Sequence, residues 1–262
     1  MAERLSPRPS ESSGISRGKL RIWAYIFLTL GAVSVAVLQN GLLKMPSMRN
    51  NEELFAFLEA NPKGMAYATL ALVLQIVGSC AAPLFAFLLA QGVERTAHFG
   101  KYFLRVLAVA VVSELPYNLA VSGRWIYTES RNPAFGLVLA MVALFLFKQY
   151  NQGTALSFVL RAVVAVAGIL WAGMLGVQDG APLVLLTLVL WLFREKKGLW
   201  MVFGCLAALL CTLFSLFYLL SPMAFILLHL YNGEKGEENV LLKHAAYPVI
   251  LLSLGIVATY VI

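Results

Sequence analysis

The residues best suited to chemistry lie in VAVVSELPYNLAVSG, residues 109–123, where Ser113, Glu114 and Asn118 interrupt an apolar run. A carboxyl inside a membrane-crossing helix costs from about 2.5 kcal/mol upward near the mid-plane, so it needs a partner or a task. Glu114 and Asn118 are one helical turn apart. Pro116 offers no backbone donor to the carbonyl of Val112, so the helix is expected to kink or end there. Such a kink would open a polar pocket holding Ser113, Glu114 and Asn118. Glu114 is the candidate catalytic base, a role that would need apolar surroundings to raise its pKa. The other reading is that Glu114 only binds freed backbone or a neighbouring helix's cation. Both readings stay open on the sequence. At the start of the same run Lys101 and Arg105 share a face. They would anchor lipid headgroups or hold the phosphates of an anionic cofactor.

Other chemistries find little support. Cys80, Cys205 and Cys211 all sit in apolar runs, with no CxxC or Cys/His spacing, so no metal site is expected. His98, His229 and His244 show no spacing that pairs them with an acid or a nucleophile. There is no Gly-rich phosphate loop, no G-x-S-x-G and no HExxH. The net charge of +7 is spread over short loops instead of forming a stripe with aromatics, which argues against nucleic acid as a partner.

The elements that must position these residues follow from composition. The chain of 262 residues is 60% hydrophobic and 13% charged, with a mean hydropathy of +0.80. Several apolar runs approach the roughly 20 residues needed to cross about 30 Å of hydrocarbon. None alternates as a membrane β-strand does. The expected fold is an all-α, polytopic transmembrane helix bundle in one domain, residues 20–262, with membrane lipid as its surrounding partner. Candidate spans are 20–42, 66–92, 101–121, 134–148, 155–177, 181–194, 198–219, 221–232 and 244–262, making eight or nine crossings because three are short. Residues 1–19 are rich in Ser, Pro and charge and read as a disordered tail, followed by a retained first helix in place of a cleaved signal.

Lys and Arg fall mostly on the side that carries the N-terminus, which predicts a cytoplasmic N-terminus. Arg161, about two turns into its span, would snorkel to that interface. NEELFAFLEAN, residues 51–61, opens with an Asn cap candidate and places Leu54, Phe57 and Leu58 on one face. It reads either as an interfacial helix over an outward cavity or as a plain connection. The small residues before Pro83 would permit close helix approach or a break, packing being the simpler role.

The segments APLFAFLLAQGVERT, KYFLRVLAVAVVSELPYNLA and RNPAFGLVLAMVALFLF, with YNGEKG at Tyr231–Gly236 and AYP at Ala246–Pro248, resemble the TraX family of bacterial membrane proteins. That family is named for a conjugation protein that acetylates pilin, and it resembles wider membrane acyltransferases. The resemblance implies an acetyltransferase taking acetyl-CoA from the cytoplasm to a pilin-like or surface acceptor. It places Lys101, Arg105, Ser113, Tyr231 and Asn232 among candidate substrate or cofactor contacts, and the expected polar pocket adds Asn118 to them. The departures are as informative. The family's Asp-His in the first span is here Gly31 and Ala32, and its late His is Ile250. Its Asp-Tyr-Gly before the sixth span reads Gln178-Asp179-Gly180, and the acid before the glycine of the second span is Gln91. Acyl transfer to an amine or hydroxyl needs a base, and His is the usual one near neutral pH. Loss of both histidines therefore leaves open a non-catalytic membrane partner or assembly factor, or a small transporter using Glu114.

Overall fold

The computed structural model describes residues 14–48, 50–150, 153–196, 198–237 and 245–262. The first helix, α1 (Arg17–Val33), starts three residues earlier than expected, because the hydroxyl of Ser16 accepts from the Lys19 backbone N–H at 3.5 Å. Residues 17–19 thus belong to the helix instead of the tail, and the rest of that tail up to residue 13 lies outside the described residues. A π-helical segment, Ser34–Leu42, extends α1 into a continuous span of 26 residues. A short helix, α2 (Asn51–Ala60), follows, capped by Asn50, one residue before the expected cap.

Asn61 caps α3 (Pro62–Gly78), which has Pro at its first position, where the missing N–H has no helical partner to lose. The expected span 66–92 is two segments, α3 and α4 (Ala81–Arg95), broken at Ser79–Cys80. Pro83 sits in the first turn of α4 and so is compatible with its helix. The two together cover 34 residues, about 50 Å of helix at 1.5 Å per residue, well over one hydrocarbon thickness. The close helix approach also occurs. A Cβ on Gly78 would lie 2.7 Å from the backbone of Gly31, so α1 and α3 cross at a point that only glycine permits.

Helix α5 (Phe99–Ser122) does not end at Pro116, but runs on to Gly123, whose φ of 69° closes it. It is followed by α6 (Ala134–Gln149), α7 (Ala155–Met174), α8 (Gly180–Leu192) and α9 (Leu199–Leu210). The spans expected at 198–219 and 221–232 form a hairpin. Its second limb is a 3-10 segment, Leu216–Met223, leading into α10 (Ala224–His229), and the chain turns at Phe214–Ser215. The last helix, α11 (Ala246–Ile256), packs along α5. His244 lies outside the described residues.

The core follows from which helices bury all their faces. Helix α8 lies at the centre, against α4, α6, α7 and α9. Helix α7 lies at the edge and turns Leu156, Phe158 and Met174 outward, the last 84% exposed. Bare apolar side chains of this size on a helix long enough to cross a membrane suit lipid, not water. Among the described residues four helices reach that length and apolarity. The molecule is an all-α membrane-protein bundle.

One end of the bundle collects cations from separate helices. Lys148 on α6 and Arg194 after α8 both approach Glu94 of α4, at 3.7 and 3.5 Å, and Arg95 donates to the carbonyl of Gly233. Arg161 rests over the Phe147 ring at 5.9 Å, held by an aromatic face.

Candidate active site

A cavity of about 1070 Å³ runs through the interior between α1, α3, α4, α5, α6, α8 and α11. Pockets for small molecules span roughly 300 to 1,000 Å³, so this one is at the large limit. Its ends differ in chemistry. At the basic end it is bordered by Arg17, Arg21, Arg95, Lys101, Arg105 and Lys235, with His98 beside them. Among the described residues Lys101 and Arg105 are exposed and make no ion pair. The middle is apolar, with Leu28, Phe85, Leu88, Leu137 and Leu183. At the far end it meets Tyr127, Glu129, Ser130, Gln178, Asp179 and Tyr218.

The far end is built by two connections that pair with each other. The backbone N–H of Arg131 donates to the carbonyl of Gly176 at 2.8 Å, and that of Gln178 donates to Arg131 at 2.9 Å. This pairing holds the turn before α8 next to the turn before α6. Asp179 occupies the cap position of α8, yet its side chain does not cap the helix. Its φ of 54° is left-handed, a strained choice for a residue with a Cβ. The carboxylate instead faces the hydroxyl of Tyr218 on the 3-10 segment. Burial pushes the Asp179 carboxyl above the ordinary carboxylate range, and the Tyr218 hydroxyl partly offsets this. Asp179 is deep within the protein although part of its surface is open, because that surface faces the cavity. Tyr117 and Tyr247 line the same space, and the Tyr117 hydroxyl meets that of Ser130 at 3.0 Å.

Lys101 and Arg105 share the basic end, as their spacing suggested. Of the SELPYN segment, Tyr117 faces the cavity, whereas Ser113, Glu114 and Asn118 do not. Glu114 accepts from the side-chain amide of Asn132 at 2.6 Å and from its backbone N–H at 3.2 Å, and lies 3.6 Å from Arg131. Its surroundings are donors and a cation, not the apolar pocket a base would need. Asn132 is fully buried, also donates to the carbonyl of Ala110 at 2.8 Å, and accepts from the N–H of Ala134 at the start of α6. Glu114 therefore ties α5 to the turn before α6. Ser113 is buried, and Asn118 donates to the carbonyl of Trp125 at 3.2 Å.

Tyr231 and Asn232 belong to the basic end but stand behind its wall. The Tyr231 hydroxyl donates to Gln91 at 2.9 Å, and its ring meets Phe87 edge-on. Asn232 forms a tight turn, accepting from the N–H of Glu234 at 3.0 Å. Helix α2 does not border the cavity. The residues that sequence reasoning did not assign to the site are Asp179, Tyr218, Arg17 and Arg21. The available signals were an Asp directly before the Gly that opens a span, and Arg residues one turn apart at the start of another.

A family model described as TraX protein matches residues 16–258 of the chain. The chain belongs to the TraX family. No curated protein and no solved structure matches it. Gly31 and Ala32, which stand where the TraX pattern calls for Asp-His, both border the cavity. Ile250, at the position of the late His, does not, although its neighbours Tyr247 and Leu251 do.

Proposed function

We propose that this TraX protein is a membrane acyltransferase that moves an acetyl group from acetyl-CoA to a pilin-like or surface acceptor. The observation that carries this reading is the single cavity joining a cationic end to an end with a carboxylate and tyrosines. A CoA thioester has phosphates that suit Arg and Lys side chains, and a long arm that an apolar passage would accommodate. In this reading Lys101 and Arg105 receive the phosphates at the cytoplasmic side of a bacterial inner membrane, where the N-terminus also lies. The thioester reaches inward, and the acceptor enters from the opposite end.

The test is binding of labelled acetyl-CoA to the protein in nanodiscs. The double variant K101E/R105E is expected to bind about tenfold more weakly, roughly 1.4 kcal/mol for two exposed charges that reverse sign. Failure of the unaltered protein to bind acetyl-CoA at all would overturn the reading.

One observation favours a second reading. Gly31 and Ala32 supply no proton acceptor where the TraX pattern has Asp-His. A protein that keeps the cavity and lacks the base would act as a non-catalytic membrane partner or assembly factor. It would bind the thioester without consuming it.

A further inference from the structure

We infer that Asp179, facing Tyr218, takes the proton of the acceptor amine or hydroxyl, and so does the work for which the histidines are missing. The inference rests on the acyltransfer reading above. Asp179 and Glu129 are the carboxylates that border the cavity among its described residues. Glu129 is exposed and engaged by the Tyr127 hydroxyl at 2.9 Å, which places it on the rim. Glu114 does not border the cavity and is held by Asn132 and Arg131. Asp179 is the remaining acid inside; its backbone is left-handed, its side chain leaves α8 uncapped, and it meets Tyr218 instead.

The step balances without any further reagent. The acceptor's lone pair attacks the thioester carbonyl carbon, a C–N or C–O bond forms, and the C–S bond breaks with its electron pair leaving on sulfur. The acceptor's proton passes to the Asp179 carboxylate and from there to the departing thiolate. Acceptor and acyl thioester thus become acylated acceptor and free thiol. Groups facing Asp179 are Tyr218 from the 3-10 segment, Cys211 from the turn after α9, Tyr117 from α5 and Tyr247 from α11. All four are ordinarily neutral near pH 7. None of them supplies a positive charge to keep the carboxylate from accepting a proton.

The experiment measures acetyl-CoA binding, and acetylation of a short peptide with a free α-amino group, for the unaltered protein, Asp179→Asn and Tyr218→Phe in nanodiscs. Asp179→Asn is expected to bind acetyl-CoA as the unaltered protein does and to lose 10²- to 10⁴-fold in transfer, the usual contribution of a general base. Tyr218→Phe removes a donor facing the charged form and should move the midpoint of the pH–rate profile upward. Infrared titration reads the same group without turnover. A protonated-carboxyl band that persists above the ordinary carboxylate range and vanishes in Asp179→Asn is expected. Equal transfer by Asp179→Asn, or absence of that band, overturns the inference and leaves acetyl-CoA binding standing. Absence of acetyl-CoA binding in the unaltered protein overturns the acyltransfer reading itself.

Discussion

Glu114 and Asp179 belong to the same end of the bundle, and the two turns that hold them are hydrogen-bonded to each other. Glu114 meets two donors on Asn132 and the guanidinium of Arg131. Asp179 meets one tyrosine hydroxyl and an open cavity. A carboxylate surrounded by donors is matched in its charged form and serves as a fastener. One that faces an internal space with a single donor has its carboxyl pushed up by burial, the kind of perturbation common among catalytic acids and bases. An acid in a membrane span thus marks a site only when its partners leave it room for substrate.

That contrast is broken or sharpened by experiments of decreasing effect. The largest is the transfer rate. Asp179→Asn is expected to reduce it at least 100-fold, and Glu114→Gln should leave more of it at temperatures where the variant stays folded. A result with the order reversed would return the catalytic role to Glu114. Next is stability. Glu114→Gln weakens charge-assisted bonds from Asn132 and should cost about 1.5–3 kcal/mol in a denaturation assay in nanodiscs.

Asp179→Asn should do the opposite near neutral pH. A carboxyl whose folded pKa is raised contributes stability that is fully present below the unfolded value, near 4, and is lost as pH rises through the folded value. Removing the titration should raise stability above that window and flatten the pH dependence within it. Equal pH profiles for variant and unaltered protein would contradict the raised pKa of Asp179.

Away from both acids, Gly78→Ala should cost about 1–3 kcal/mol by forcing α1 from α3, since its Cβ would fall 2.7 Å from Gly31. Thermal unfolding monitored by size-exclusion fluorescence checks this. The smallest effect is expected for Tyr231→Phe, about 0.5–1.5 kcal/mol for one bond to Gln91. Acetyl-CoA binding should be unchanged, because Tyr231 stands behind the wall and not in it.

The bundle was legible because hydropathy is additive along a span, and a bilayer demands long apolar runs whatever their neighbours. Lys101 and Arg105 were legible for a related reason, as one-turn spacing fixes a shared face. Pro116 misled for a physical reason. A helix packed along its length by α11 can lose one backbone bond without ending. Asp179 was not legible because Asp before a span-opening Gly usually reads as a helix cap. Its true direction depends on a left-handed backbone and on Tyr218, 39 residues later in the chain. Such a pairing is a product of tertiary structure, and no local pattern announces it.

The basic end has a seam whose two edges lie far apart along the chain. Ile15 donates to Leu230 at 2.7 Å and accepts from Asn232 at 3.1 Å, while Arg17 donates to Glu234 at 2.9 Å. During synthesis at about 5–20 residues per second, the first edge would wait roughly 10–40 s for the second to emerge. Arg17 and Arg21 must therefore enter the membrane region before Lys235, their neighbour around the cavity mouth, exists. The seam thus joins a part made first to a part made late, and a ribosome stalled before Leu230 would carry a first helix whose N-terminal edge has no partner from that seam.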